Sequence, residues 1–202
     1  MAHVGFIWEL GEGLGHLTRM GPVAQALARR GHRVTAVLKD VPRAGRFFPG
    51  MPVYQAPVQT DTHPAPPGYI PAACTYADIL HNAGASSPER LDALVAAWSN
   101  LLDLLDLDAA VLDYCPVAQV ALRGRGAAVS RLGTGFVNPP DVTPLPDLRP
   151  WDNNNPQRLL AQEHRVRDRL NAHFERRGVK GVDRLGAVYG ESSATLLATF
   201  PE

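Results

Sequence analysis

HVGFIWELGEGLGHLTRMGPVAQALARRGHRVTAVL, residues 3–38, contains three patterns in succession. HVGFIWEL is a continuous apolar run ended by glycines, the mark of a strand buried on both faces. A helix is predicted next. Pro22 suits its first turn, Val23 with Leu27 and Ala24 with Ala28 give the helical spacing, Arg29 and Arg30 suit its end, and Gly31 is a left-handed stop. HRVTAVL then reads as a second, β-branched strand. A strand, a helix and a strand this close together require a right-handed crossover between parallel strands.

Outward from that unit the alternation continues. MPVYQAP predicts a short third strand, and VQTDTHPAPPGYIPAAC a first proline-rich loop, followed by a short helix around Tyr76, Ile79 and Leu80. Ser87 and Pro88 are a sound cap and first position for a longer helix, whose apolar stripe is Leu91, Leu94, Val95, Trp98, Leu101, Leu102 and Leu105. DAAVLDY predicts strand four, PVAQVALRGRG a helix stopped by glycine, and AAVSRLG strand five. A second proline-rich loop, from Gly133 to Pro156, is long enough to be functional or mobile. The polar helix after it, with a stripe of Leu159, Leu160, Val166, Leu170 and Phe174, should lie on the surface, and ATLLATF reads as one more buried strand. The fold class is α/β, a Rossmann-like doubly wound parallel sheet flanked by helices.

Composition narrows the function. The 202 residues suit one domain, and 20 basic against 20 acidic residues leave no net field to draw nucleic acid or an anionic membrane. Cys74 and Cys115 form neither a disulfide framework nor a zinc motif, which fits a reducing cytoplasm. The amino terminus lacks the basic segment of a signal peptide, and Glu9 breaks its apolar run. Asp103, Asp106 and Asp108 interrupt the richest later apolar segment well short of a bilayer span. A small molecule is the expected partner.

The loop Gly11-Glu12-Gly13-Leu14-Gly15-His16 fails the dinucleotide fingerprint at its third glycine, and Asp40 meets the acidic requirement only loosely. It does place an imidazole at the carboxyl end of strand one. In open α/β sheets ligands bind there, where the strand order reverses. With the order 3-2-1-4-5, Asp113 ends the neighbouring strand and faces His16. A histidine whose second nitrogen is held by a carboxylate can take a proton from a hydroxyl, and that hydroxyl can attack an acyl, phosphoryl or glycosyl centre. There is no GxSxG, HExxH or P-loop lysine to choose among these, and no metal site is implied.

GLGHLTRMGPVAQALARRGHRVT, with DAAVLDYCPVAQVALRGRGAAVSRLGTG and SATLLATFPE, resembles the amino-terminal domain of bacterial UDP-glycosyltransferase-like enzymes of the GT-B fold. The resemblance covers nearly the whole chain, is strongest at the glycine-histidine loop and vanishes in the proline-rich loops. It implies that residues 1–202 are the acceptor-binding half, with His16 as general base on an acceptor hydroxyl and Asp113 as its carboxylate partner. It implies inverting displacement from a UDP- or dTDP-sugar without a cofactor. The donor is bound in that family by a carboxyl-terminal domain. This chain ends where the linker to it would begin, so the donor site is expected in that missing domain or a separate subunit, and the chain alone is expected to be inactive.

Other residues are weighed against plainer roles. Asp113 could equally cap the helix opened by Pro116. Glu12 is an alternative base or a solvated loop residue, and Arg19 meets an anionic group of a substrate or is a surface arginine. Gly13 and Gly15 shape the loop, while Gly133, Thr134 and Gly135 line the acceptor pocket or form an ordinary turn. Tyr69 and Ile70, with Pro71, lie where the family binds its acceptor, which points to an apolar one. His32 is structural, Cys115 a small buried hydrophobe, and the basic helix from Arg165 to Arg177 a solvated face. Two further readings stand beside the transferase: a non-catalytic module that binds a small molecule or activates a partner, and a nucleotide-dependent oxidoreductase.

Overall fold

A computed structural model describes residues 1–58, 68–190 and 192–198. Among these residues six strands form one parallel sheet in the order β3-β2-β1-β4-β5-β6. The strands are β1 His3–Trp8, β2 Arg33–Leu38, β3 Val53–Gln55, β4 Ala109–Asp113, β5 Ala128–Gly133 and β6 Ala194–Leu197. The helices are α1 Gly15–Arg29, α2 Tyr76–Leu80, α3 Pro88–Leu105, α4 Pro116–Leu122, α5 Pro156–Arg176 and α6 Ala187–Gly190. The predicted order thus holds, extended by β6.

Alternation along β1 sends its side chains to opposite faces, so that both must be covered. Val4, Phe6 and Trp8 join Val34, Ala36 and Leu38 of β2 against Leu17, Met20 and Ala24 of α1. Ile7, Val37, Ala110 and Leu112 point the other way, into a larger core with Trp98 of α3, Val117 and Val120 of α4 and Leu170 and Phe174 of α5. Two apolar layers on one sheet are the doubly wound arrangement that the uninterrupted run in β1 requires. Ser87 caps α3, its hydroxyl accepting from Arg90 N at 3.3 Å. Asn155 does the same for α5, accepting from Gln157 N at 2.9 Å.

Two expectations need correction. Pro22 does not open its helix. α1 begins at Gly15, because the glycine loop turns straight into it, and Pro22 lies inside, where its missing N–H removes the bond to Thr18. β6 is not buried: it is the outer strand of the sheet, with Leu196 51% and Leu197 61% exposed. The apolar run was real, but nothing among the described residues covers it. The second proline-rich loop is tied down along its length, as Leu145 N and Thr143 Oγ1 donate to the buried Glu163 of α5 and Leu148 N donates to Cys74 O. Residues 59–67 of the first proline-rich loop lie outside the described residues. No described helix is long and apolar enough to cross a membrane.

Trp98 is fully buried where α3 meets the larger core. Truncating it to alanine removes a large apolar side chain and leaves a void, so Trp98→Ala should lower stability by about 3–5 kcal/mol, read from the midpoint of urea unfolding.

Candidate functional site

The site is built at the carboxyl edge of the sheet by strand register. Trp8, the last residue of β1, pairs with Leu38 of β2 on one side and with Asp113 of β4 on the other. β1 and β4 therefore end level, at the point where the chain order reverses. His16 and Asp113, 97 positions apart in sequence, meet there, with Nδ1 of His16 3.0 Å from Oδ1 of Asp113. The carboxylate is fully buried and the imidazole nearly so.

Asp113 has a second partner. Arg19, one turn along α1 from His16, clasps the carboxylate: Nε donates to Oδ2 at 3.2 Å, and Nη2 donates to Oδ2 at 2.9 Å and Oδ1 at 3.1 Å. Its Nη2 also lies 3.2 Å from Nδ1 of His16. A carboxylate oxygen 3.0 Å from Nδ1 and a guanidinium beside it make the carboxylate the common acceptor, an arrangement that favours the tautomer with its proton on Nδ1. A buried carboxylate held by three charged hydrogen bonds and an imidazole is satisfied without solvent. Arg19, expected at an anionic group of a substrate, is engaged inside the site.

The imidazole is sandwiched. Trp8 stacks on it with ring centroids 5.0 Å apart and 20° between planes, and Tyr114 lies beyond it at 6.3 Å. Nε2 is pressed against Gly11, where an added Cβ would sit 2.6 Å from that nitrogen and 3.1 Å from Tyr114. Gly11 has φ +87°, and Tyr114 itself has φ +56°, a conformation that a bulky residue rarely adopts outside functional or strained turns. Two bonds hold the loop in place: Lys39 Nζ donates to Gly11 O at 3.0 Å and Leu10 N to Tyr114 O at 3.0 Å.

Gly11 stands between two clefts. One, about 300 Å³, is lined by Glu9, Leu10, Tyr114, Tyr69, Ile70 and Asn82 among others. The other, about 410 Å³, lies between Glu12, Gly13 and Trp8 on one side and Lys39, Asp40 and Arg43 on the other. The first holds the predicted Tyr69 and Ile70; Asn82 fixes them there, donating to Ile70 O at 2.8 Å and accepting from Ile70 N at 3.0 Å. Gly133 sits beside Asp113, where an added Cβ would lie 3.3 Å from Oδ1 and closer still to Val137. Thr134 and Gly135 are exposed in the turn that follows, where Phe136 meets Tyr114 edge-on at 5.8 Å. Gly15 opens α1, with nothing near the place of a side chain. Glu12 is exposed, and no contact places it against His16.

Glu9 escaped the sequence reading as a site residue. Asp113 does not cap α4; Glu9 does, with Oε2 accepting from Val117 N at 3.0 Å and Ala118 N at 2.9 Å. Among the described residues its other oxygen, Oε1, takes only the long 3.3 Å share of the Val117 bond. Burial pushes this carboxyl up to about 8 against the pull of those two amides, since desolvation outweighs them. The signal was present: a carboxylate directly after a strand buried on both faces can only be buried itself or aimed at a site. Cys115 is the small buried residue expected, its thiol pushed well up by burial and donating to Ile7 O at 2.9 Å.

Comparison with known protein families finds no match, and neither does comparison with curated proteins. Among solved structures the chain is similar to CalG4, the calicheamicin glycosyltransferase, at TM-score 0.58 and 17% identity, over 97% of this chain and 47% of that one. It is similar to the Streptomyces sp. SF2575 glycosyltransferase SsfS6 at TM-score 0.57 and 11% identity, over 100% and 51%. It is also similar to the glycosyltransferase of kitacinnamycin at TM-score 0.54 and 18% identity, over 97% and 45%. The chain therefore has the α/β fold of half of a GT-B glycosyltransferase and spans about half the length of the enzymes it matches.

Two outcomes follow from this geometry. Glu9 carries its proton in the folded chain up to about pH 8 but loses it near 4.5 when unfolded. Between those values the folded state binds more protons, so stability is full below about 4.5 and falls as pH rises through 8, by about 1.4 kcal/mol per unit at most. Glu9→Gln should flatten that slope in urea unfolding measured from pH 5 to 9. Gly11→Ala forces a Cβ onto Nε2 at a positive φ and should lower stability by about 1–3 kcal/mol; a crystal structure or NMR spectrum of the variant should show the imidazole displaced.

Proposed function

We propose that this chain is the acceptor-binding half of an inverting glycosyltransferase that moves a sugar from a nucleotide donor to a hydroxyl of a small apolar acceptor. The observation that carries the reading is the 3.0 Å pair of His16 and Asp113 at the sheet edge, with Nε2 behind Gly11, the residue that lines both clefts. The half-length likeness to glycosyltransferases supports it. A donor carrying thymidine diphosphate is suggested by SsfS6, whose structure in complex with that nucleotide is similar at TM-score 0.53 and 11% identity; a UDP-sugar fits the same chemistry.

In this mechanism the acceptor lies in the cleft of Tyr69, Ile70 and Tyr114, its hydroxyl over Gly11. Nε2 of His16 takes the hydroxyl proton as the oxygen attacks the anomeric carbon from the face opposite the nucleotide, which leaves with the bonding electron pair. Asp113 accepts from Nδ1 and stabilises the imidazolium as it forms. Arg19 keeps the carboxylate turned toward the imidazole. The donor, its pyrophosphate and its leaving-group stabilisation belong to a second domain or subunit, so the chain alone is inactive.

A second reading, a binding module without catalysis, is favoured by the guanidinium on Asp113, which satisfies that carboxylate whether or not the histidine turns over. The two are separated by joining the chain to its donor-binding domain and replacing His16 by alanine. Loss of the general base should lower transfer to a hydroxyl acceptor at least about 100-fold with acceptor binding retained; transfer at the parental rate would remove His16 from the mechanism, and acceptor binding without transfer in the parental pair would favour the module.

A further inference from the structure

The 300 Å³ cleft mixes apolar side chains with polar groups, and Glu9 is the most buried of its described lining residues. Glu9 is 2% exposed, yet it forms part of the wall beside Leu10, Gly11 and Tyr114. Its two oxygens are not equivalent. Oε2 is saturated by the amides of Val117 and Ala118, whereas among the described residues Oε1 has only the long bond to Val117. Of the two, Oε1 is therefore the oxygen with capacity left for a further partner. The titratable groups that face Glu9 are Tyr76 of α2, Tyr114 and Cys115 between β4 and α4, and Tyr189 of α6. All four are neutral near pH 7, and burial pushes each further from ionisation.

We propose that Oε1 of Glu9 donates a hydrogen bond to a carbonyl, ether or hydroxyl oxygen of a neutral ligand bound in this cleft, and so selects neutral over anionic acceptors. This rests on the reading of the cleft as the acceptor site, and it names the chemical class that site takes. A carboxylic acid with one saturated oxygen and one free O–H is a donor. It meets a ketone or ether oxygen well. A ligand carboxylate in the same place has to enter a wall whose described lining residues, Tyr69 and Tyr114 among them, include no cation, and it also opposes ionisation of Glu9. A buried donor that a ligand leaves unpaired discriminates more sharply than a change in apolar contact does.

The test uses two probes of the same outline, 2-acetonaphthone and 2-naphthoate, titrated into the whole chain by calorimetry at several pH values. At pH 6.5 the ketone should bind at least ten-fold more tightly than the carboxylate, and its affinity should fall as pH is raised past 8. Glu9→Gln keeps an N–H donor, so it should retain ketone binding and lose the pH dependence. Glu9→Leu should weaken the ketone at least ten-fold, with circular dichroism checking that α4 survives loss of its cap. Equal binding of the two probes, ketone affinity unchanged by either variant, or binding of neither probe overturns the proposal. If ketone selectivity holds while the joined enzyme transfers no sugar, the transferase reading fails and the assignment of Glu9 stands.

Discussion

The carboxylate of Asp113 is buried to the last atom, and a buried charge has to be met by donors or the structure does not form. Its position is set by β4 pairing level with β1, so its donors have to come from the turn and helix that follow β1. That one requirement fixes the first two turns of α1. His16 and Arg19, three residues apart, lie on the same side of the helix, and both reach the carboxylate only if α1 starts at Gly15 and runs back across the edge of the sheet. The glycines ahead of it, bent at positive φ, let the chain turn that sharply.

A second buried acidic side chain settles the neighbouring element. Glu9 leaves β1 one residue past Trp8 and meets the start of α4, satisfying the amides that Cys115 leaves without a side-chain cap. Two acidic side chains, one at the end of β1 and the other at the end of β4, thus tie each strand to the helix that follows the other. Asp113 reaches from β4 to α1, and Glu9 from the end of β1 to α4. The exchange locks the central pair of strands to both layers of helix and places the clefts on either side of Gly11.

Much of this was legible in the sequence because it depends on local pattern. The apolar run of β1, the glycine stop after α1, the Ser87 cap and the stripe centred on Trp98 each announce an element by spacing alone. The meeting of His16 with Asp113 was also within reach, since parallel strands in this order end at one edge. What stayed hidden depends on direction. Sequence could not say whether Asp113 turns toward its own helix or across to His16, and for Arg19 it offered a substrate anion or solvent but not the carboxylate of a distant strand. Glu9 was seen as an interruption of a hydrophobic run, although its place between a doubly buried strand and a glycine turn left it no route to water. The exposure of β6 depends on what lies outside the sheet, and no periodicity within ATLLATF encodes that.

That outer strand has a practical side. Its far edge offers a row of backbone donors and acceptors with two leucines beside them, the surface on which a foreign strand can lengthen a sheet. A sheet open at such a border grows by accretion as readily as by specific partnership. The shelf life of this chain in concentrated solution therefore depends on a few residues of β6, far from the histidine, and a single lysine among them would act as a gatekeeper against that growth.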